Sequence, residues 1–314
     1  MKHFIAILAH KNGAHLELLV KECKKRNYVV RIHLDKKSRS KILKKHPYLL
    51  PYTLEQSIDV SRGHFSIVEA SMLLLNASNL EEFDYFHLIS GEDYITKSEE
   101  EFEHFFTGNQ GTNFINNTQL PIESEYPKVR STIFSKYATF KDRVPLTNYQ
   151  HAFFKNGIGL VDTYHFRPSG LISKVIKWTT PTYQLRQFYL KLFKRKLPKK
   201  EFYAGSAWFS VTKDMTLHFS EQTQDTPSLY AYFRNVLFPD EIYFHTIALN
   251  SSLKETIINS DLRYINWDKP VQEGPGLLTV EDIYEIKKSN GFFARKCDLA
   301  NNTKLKEQIE NELF

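Results

Sequence analysis

Two carboxylates follow apolar segments of the chain at points where buried strands would end. Asp35 follows the β-branched segment 28–34 (YVVRIHL), and Asp93 closes the sequence Gly91-Glu92-Asp93 after the apolar segment 85–90 (YFHLIS). An aspartate in such a place either caps a helix or makes a turn, or it accepts hydrogen bonds from ribose or sugar hydroxyls. The sequence leaves both interpretations open.

A third acidic group lies in Pro239-Asp240-Glu241. Proline in the first turn followed by two acids is typical of a simple helix N-terminus, whose dipole favours negative charge. The functional interpretation is a general base that deprotonates a sugar hydroxyl. Arg295 and Lys296 lie in a further unusual segment, the apolar run 292–298 (FFARKCD). The ordinary explanation there is a basic side chain that extends to solvent from a helix end.

Several motifs are missing from the sequence. There is no Gly-x-Gly-x-x-Gly, no Walker-type phosphate loop and no Gly-x-Ser-x-Gly, which argues against the folds that carry them. Neither the cysteines nor the histidines have zinc-ligand spacing. Asp-x-Asp, which chelates a divalent ion in many nucleotide-sugar transferases, is also missing. A bound pyrophosphate would therefore be neutralised by lysine or arginine.

Alternating strand and helix patterns position these residues. Apolar segments at 4–9, 28–34 and 85–90 predict strands, and helical spacing at 15–25 and 66–80 predicts helices between them. This alternation predicts an α/β fold with a mostly parallel sheet, which binds ligands at the carboxyl ends of its strands. The strand ends at which a ligand is expected to bind are His10, Asp35 and residues 90–93. A strand at 207–212 and a helix from Pro239 through Leu249 are predicted further along the chain.

The chain of 314 residues is predicted to be one domain, since it has no repeats and no Gly/Ser linker. Its expected divisions are residues 1–110, a variable aromatic and basic insertion at 111–200, residues 201–298, and a tail at 299–314. Within the insertion, an amphipathic basic helix is predicted from Tyr183 to Lys196. Its apolar stripe either packs in the core or rests on anionic lipid.

The amino-acid composition limits the class of protein, its location and its partners. Aromatic residues make up 14% of the chain, which excludes a disordered protein. Two cysteines, Cys23 and Cys297, indicate free thiols in a reducing compartment. The sequence has no signal-peptide pattern and no run of 18 apolar residues, so a cytoplasmic location is expected. A net charge of +6 is compatible with nucleic acid, an anionic membrane or phosphorylated small molecules.

Eight segments in order resemble the core-2/I-branching glycosyltransferases, which also include the peptide O-xylosyltransferases, and point to a bacterial member. The segments are 4–11 (FIAILAHK), 32–38 (IHLDKKS), 63–75 (GHFSIVEASMLLL), 85–97 (YFHLISGEDYITK), 203–212 (YAGSAWFSVT), 239–246 (PDEIYFHT), 262–267 (LRYINW) and 292–298 (FFARKCD). The resemblance implies a GT-A-like fold, a UDP-sugar donor, and inversion at the anomeric carbon without a catalytic metal. It also implies that residues 1–110 are the nucleotide-binding half and residues 201–298 the acceptor and catalytic half.

The resemblance also implies roles for single residues. Glu241 matches the catalytic base of the Pro-Asp-Glu motif, Lys296 the lysine that neutralises the donor diphosphate, and Asp35 an acid on the nucleoside side. The residues expected to bind the nucleotide-sugar are His10, Asp35, Gly91, Asp93, Arg295 and Lys296. The residues expected to bind the acceptor are Ser206, Trp208 and Trp267.

The sequence departs from the family pattern at two points. Arg62 stands where many relatives have tryptophan. Branching enzymes also carry an arginine about two dozen residues before the lysine, where this chain has Glu273-Gly274-Pro275-Gly276. Arg295 or Arg263 takes its place, or Lys296 holds the diphosphate together with backbone amides.

The function expected from the residues and the resemblance together is transfer of a sugar, with GlcNAc or xylose favoured, from a UDP donor to a saccharide hydroxyl. Synthesis of bacterial surface polysaccharide, on an acceptor that is a lipid-linked saccharide, is the expected setting, with peripheral contact at the inner face of the membrane through residues 183–196 and no nucleic-acid partner. No cofactor or metal is expected. The alternative is a non-catalytic basic protein that binds membranes or polyanions.

Overall fold

The computed structural model describes residues 1–61, 63–119, 200–225, 229–230, 233, 239–267 and 275–314. The helix predicted from Tyr183 to Lys196, most of the aromatic insertion and the departure at Arg62 lie outside these ranges. No helix among the described residues is both long and apolar enough to span a membrane.

The described residues include eleven strands and eight α-helices. The strands are β1 (His3–Ala9), β2 (Val29–Leu34), β3 (Tyr85–Ser90), β4 (Asp93–Ile95), β5 (Asn113–Ile115), β6 (Thr118–Gln119), β7 (Tyr203–Ala204), β8 (Phe209–Thr212), β9 (Ile257–Ile258), β10 (Arg263–Ile265) and β11 (Phe293–Arg295). The helices are α1 (Gly13–Lys25), α2 (Arg39–Lys45), α3 (Ser66–Ser78), α4 (Glu99–Gly108), α5 (Lys213–Asp225), α6 (Tyr243–Leu249), α7 (Ile283–Lys288) and α8 (Thr303–Glu312). Short 3-10 helices lie at Pro47–Tyr52, Pro239–Glu241, Lys254–Thr256 and Val280–Asp282.

The central sheet has six strands in the order β2-β1-β3-β8-β5-β9. β1 pairs in parallel with both β2 and β3, and β5 pairs in parallel with β9. β8 is antiparallel to both of its neighbours, so the other five strands share one direction. The predicted α/β fold with a mostly parallel sheet is confirmed.

Side-chain alternation along β1 explains why both faces of this sheet are covered. Ile5 and Ile7 point into a core that contains the apolar face of α1, whereas Phe4 and Ala6 point into a second core beneath α3, α5 and α6. Successive residues of a strand face opposite sides of a sheet, so a continuous apolar run fits a strand that is buried on both faces.

Residues 111–119 contribute directly to the fold. β5 is the fifth strand of the central sheet, and β6 pairs with β7 in a two-stranded ribbon. Within the segment 111–200, residues 113–115 therefore belong to the central sheet.

A separate three-stranded sheet has the order β10-β11-β4. β11 carries Phe293, Ala294 and Arg295 and pairs in parallel with β10 and antiparallel with β4. The expectation of a helix end at this apolar and basic segment is wrong. Phe293 and Ala294 are fully buried, which fits a strand in the interior better than a helix terminus at the surface.

A chain of polar side chains crosses the core between an arginine and a glutamate. Arg263 Nη1 donates to Ser210 Oγ at 2.9 Å, and Ser210 Oγ lies 2.8 Å from His87 Nδ1. His87 Nε2 lies 3.0 Å from His3 Nδ1, and His3 Nε2 lies 3.1 Å from Glu103 Oε1. Nε2 of His3 makes no well-aligned hydrogen bond among the described residues, so its contact with Glu103 is a close approach of a ring nitrogen and a carboxylate.

Candidate functional site

The carboxyl ends of β1, β2 and β3 meet at one edge of the central sheet. The Asp35 N–H donates to Ala9 O and the Gly91 N–H donates to Leu8 O, each at 2.8 Å. A Cβ on Gly91 would lie 2.7 Å from the Cβ of Ala9. Gly91 therefore lets β1 and β3 approach closely at this edge.

Asp35 is buried at the end of β2 and connects two loops. Its Oδ1 accepts from the Lys37 N–H at 2.8 Å, and its Oδ2 accepts from the Val60 N–H at 3.2 Å. The ammonium of Lys37 lies 3.3 Å from the same Oδ2. This geometry matches the turn-making interpretation of Asp35, and it also fixes a carboxylate at the edge where a nucleotide would bind.

His10 lies at the exposed rim of the same edge. Desolvation by the surrounding protein lowers the pKa of His10, and the charges of Glu92, Lys11, Asp35 and Lys296 also act on it. The fold thus brings residues 10, 35 and 296 near enough for their charges to interact.

Asp93 and Arg295 face each other across β4 and β11. Asp93 is fully buried, and its Oδ2 accepts from the Ser90 N–H at 2.8 Å. Burial raises the pKa of Asp93, while the charge of Arg295 opposes that shift. Arg295 Nε lies 3.6 Å from Asp93 Oδ1, which is longer than a hydrogen bond, and the guanidinium lies 4.6 Å from the centre of the Trp208 ring.

The guanidinium of Arg295 has unused donors. It is 9% exposed, and its Nε and Nη1 have no hydrogen-bond partner among the described residues. A planar guanidinium with free donors is suited to bind phosphate or carboxylate oxygens. Lys296, the next residue along the chain, is half-buried. Its backbone is bonded to the segment after residue 274, with Leu278 N–H donating to Lys296 O at 2.8 Å.

His15 links the residues that follow this basic segment to β4 through its two ring nitrogens. The Leu299 N–H donates to His15 Nδ1 at 3.1 Å, so the proton lies on Nε2, which donates to Asp93 O at 3.1 Å. Burial lowers the pKa of His15, in keeping with a neutral ring. Sequence reasoning missed this role, although His15 precedes Leu19 and Cys23 by four and eight residues on the buried face of α1.

The predicted helix from Pro239 to Leu249 is divided in two. Pro239–Glu241 is a 3-10 turn, and α6 begins only at Tyr243. Glu241 is half-buried, and its carbonyl accepts from the Gly205 N–H at 2.9 Å. The candidate base thus lies directly against the loop that joins β7 to β8.

That loop, residues 205–208, connects the two sides of the candidate site. Gly205 contacts Glu241 at one end, and at the other end Trp208 lies under the guanidinium of Arg295. Between them the Ser206 N–H donates to Asn116 Oδ1 at 3.3 Å, and the Trp208 N–H donates to Ser206 Oγ at 3.4 Å.

Trp267 stands apart from the other predicted acceptor residues. It is half-buried, two residues after the end of β10. Within the ranges that the structure covers, no ring contact joins it to Trp208 or Arg295. Its proposed acceptor role therefore rests on the resemblance alone.

A family model described as Core-2/I-Branching enzyme matches residues 6–155 and 173–287, which is most of the chain. The chain belongs to the Core-2/I-branching enzyme family.

Relatives in this family are glycosyltransferases by name. The chain is 32% identical to the β-glucuronosyltransferase GlcAT14B of Arabidopsis thaliana over 124 residues, 38% of this chain and 28% of that protein. It is 24% identical to a xylosyltransferase of Ciona intestinalis over 187 residues, 54% of this chain and 21% of that protein. The matched part spans less than a third of either relative. A solved glucose-1-phosphate thymidylyltransferase from Bacillus anthracis matches at 10% identity, with a TM-score of 0.31, over 73% of this chain and 82% of that one.

The family membership gives the site its context. Several of the segments that carried the resemblance form the carboxyl edge of the sheet, the 205–208 loop and the β4–β11 pair, whereas segment 63–75 is mostly helix α3. Among the residues that the structure describes, no group of three or more His, Cys, Asp or Glu side chains is arranged to hold a metal ion.

Proposed function

We propose that this chain is an inverting glycosyltransferase that moves a sugar from a UDP donor to a saccharide hydroxyl without a metal ion. The observation that carries the proposal is the Arg295 guanidinium. It is buried with free donors, lies next to Lys296, and contacts the ring of Trp208 in the loop that reaches Glu241. Metal independence rests on the missing Asp-x-Asp.

The chemistry assigned to these residues is a single displacement. The carboxylate of Glu241 takes the proton of the acceptor hydroxyl as its oxygen forms a bond to the anomeric carbon of the donor sugar. The bond from that carbon to the diphosphate oxygen breaks, and UDP leaves with the electron pair. Arg295 and Lys296 stabilise the negative charge that develops on the diphosphate, the kind of electrostatic effect that contributes most in many enzymes.

The donor sugar is proposed within a short set. GlcNAc and xylose are favoured by the resemblance of the sequence segments, and the relatives named as β-glucuronosyltransferases add glucuronate. The discriminating experiment is a screen for hydrolysis and transfer with UDP-GlcNAc, UDP-xylose and UDP-glucuronate.

The test of the proposal begins with UDP alone in the presence of excess EDTA. A ligand that binds only the native state raises the midpoint of thermal unfolding, so UDP should stabilise the protein with the chelator present. ADP serves as the matched control for base recognition. Absence of stabilisation by UDP, or loss of turnover in EDTA with recovery on adding Mn²⁺, would contradict the proposal.

The setting of the reaction is a further part of the proposal. A cytoplasmic enzyme that acts on a lipid-linked acceptor in bacterial surface polysaccharide synthesis would contact the membrane through the basic segment at 183–196, which lies outside the described ranges. Co-sedimentation with anionic vesicles but not neutral ones at low salt is the expected result. Equal sedimentation with anionic and neutral vesicles would contradict the proposed membrane contact.

A further inference from the structure

The loop of residues 205–208 is held by parts of the chain that are distant in sequence. The Ser206 N–H donates to the side chain of Asn116, which follows β5. A Cβ on Gly205 would lie 1.8 Å from the carbonyl oxygen of Asn116 and 2.9 Å from Nε2 of His245 in α6. The loop therefore lies in close contact with both Asn116 and His245.

The orientation of the Asn116 amide is fixed by a second asparagine. Asn116 Nδ2 donates to Asn259 Oδ1 at 3.0 Å, and the same oxygen accepts from the Asn117 N–H at 2.9 Å. Asn259 Nδ2 donates in return to Asn117 O at 2.8 Å. With Nδ2 directed to Asn259, the Oδ1 of Asn116 is directed to Ser206.

His245 is buried against the same loop. It has no exposed surface, and neither of its ring nitrogens makes a well-aligned hydrogen bond within the described parts of the chain. Burial lowers the pKa of His245 to about 4, and backbone groups of Ser206 and Asn116 oppose the shift. A buried polar ring without a well-formed hydrogen bond costs stability, so packing alone would favour an apolar side chain here.

We infer that Asn116 and His245 are positioning residues that hold the 205–208 loop for the acceptor saccharide. The inference rests on the proposed function, because it takes Ser206 and Trp208 to lie on the acceptor side. Neither residue touches a reacting atom. They act through the backbone of Gly205 and Ser206, whereas Arg295 is held separately by the pairing of β11 with β4.

The experiment compares Asn116→Ala, His245→Phe and His245→Gln with the wild type in acceptor and donor kinetics. A p-nitrophenyl glycoside that supports transfer serves as the acceptor probe. A misplaced binding loop is expected to lower kcat/KM for this acceptor by about 10- to 100-fold, with UDP affinity within about threefold of wild type. His245→Gln, which keeps a polar nitrogen near the loop, should retain more transfer than His245→Phe.

Unfolding measurements separate positioning from stability. His245→Phe removes a buried polar ring and should be at least as stable as the wild type in urea, although it transfers more slowly. The matched controls are Asn117→Ala and His218→Phe. The side chain of Asn117 donates to Ile115 O instead of the loop. The ring of His218, in α5, lies near the backbone of Ile247 in α6, the helix that also carries His245. Both controls should keep wild-type acceptor kinetics.

A readout that needs no acceptor uses Trp208 as the single tryptophan in a Trp178→Phe, Trp267→Phe background. Displacement of the loop should increase acrylamide quenching of Trp208 in Asn116→Ala and His245→Phe. Variants that match the wild type in both acceptor kinetics and quenching overturn the inference and leave the proposed function intact. Wild-type protein that neither binds UDP nor transfers sugar overturns the proposed function first, before any variant is compared.

Discussion

At the scale of single residues, two arginines near the site use their guanidinium groups differently. Arg263 donates to Leu88 O at 2.9 Å and Phe209 O at 3.1 Å, and also to the hydroxyl of Ser210 and the carbonyl of Asp261. Burial lowers the pKa of Arg263 to about 10. Arg263 therefore ties backbone segments together through Nη1 and Nη2, and only its Nε lacks a partner among the described residues. Arg295 has two such donors, Nε and Nη1, which makes it the better candidate for the diphosphate.

This difference predicts opposite effects of removing each arginine. Arg295→Gln should keep the fold and weaken UDP binding by about tenfold or more, as expected for a charged hydrogen bond. Arg263→Gln should lower the free energy of unfolding by about 2–4 kcal/mol, since it leaves buried carbonyls without donors. Calorimetry with UDP and urea unfolding of both variants provide the measurements.

Lys296→Ala is expected to follow Arg295→Gln in these measurements. If UDP affinity is unchanged in folded Arg295→Gln and Lys296→Ala, the diphosphate is bound elsewhere.

Glu241 is tested by an isosteric substitution. Glu241→Gln keeps the shape of the side chain and removes the base, so kcat should fall by roughly two to four orders of magnitude while donor binding stays near wild type. Asp240→Asn, one residue earlier in the same 3-10 turn, is the matched control and should retain turnover. Loss of turnover in Asp240→Asn but not in Glu241→Gln would place the base at residue 240.

At the scale of elements, the edge where β1 and β3 end depends on close approach at Gly91. An added methyl group would meet the Cβ of Ala9 at 2.7 Å, its Cα at 3.3 Å and Leu16 Cδ1 at 3.6 Å. Since the backbone of β1 fixes the positions of both the Cβ and the Cα of Ala9, the strands would have to separate to relieve the contact.

Gly91→Ala should therefore destabilise the protein by about 1–3 kcal/mol, the usual cost of overpacking, and reduce UDP binding because the edge proposed to bind the nucleotide widens. Gly108→Ala is the matched control. A Cβ on Gly108, the last residue of α4, meets nothing within 4 Å, so its stability should equal or exceed that of the wild type. Equal stability of the two variants in urea unfolding would show that the edge tolerates separation.

At the scale of the whole molecule, buried histidines are distributed through both cores. His3, His15, His33, His87 and His245 are each at most 1% exposed. Burial lowers the pKa of all five, to about 3 for His3 and to about 4 for His33 and His245. The folded protein therefore keeps these rings neutral at pH values where they are protonated in the unfolded chain.

These shifts predict that stability falls with acidification. A histidine titrates near pH 6.5 when unfolded, so the unfolded chain takes up protons first as the pH decreases below that value. Stability should be full above about pH 6.5 and decrease towards pH 4, with each histidine contributing up to about 1.4 kcal/mol per pH unit. Urea unfolding between about pH 7.5 and 5 checks this before most carboxylates titrate.

The control for this pH dependence is His104→Asn, at an exposed position of α4, which should leave the slope unchanged. Stability that stays constant or rises from pH 7.5 to 5 would contradict neutral buried histidines.

The sequence by itself determined the first strands of the sheet and the edge at which they end. The apolar run at residues 4–9 and the segment 85–90 coincide with β1 and β3 within one residue. Hydrophobic period depends only on neighbours along the chain, so it predicts such strands, their parallel arrangement and the placement of Asp35 and Gly91 at their carboxyl ends. The family was also evident from segments that keep their order.

Only the tertiary structure decided which polar groups are hydrogen-bonded inside the fold and which of the described donors have no hydrogen-bond partner. Nη2 of Arg263 donates to carbonyls of residues 88 and 209, and nothing near position 263 in the sequence signals those partners. The side chain of Asn116 accepts a hydrogen bond from Ser206, which is 90 residues away in the sequence. No local sequence pattern could therefore predict that Asn116 lies beside the loop. Hydrogen bonding and burial depend on contacts between distant segments, and those contacts exist only once the sheet and its crossovers are formed.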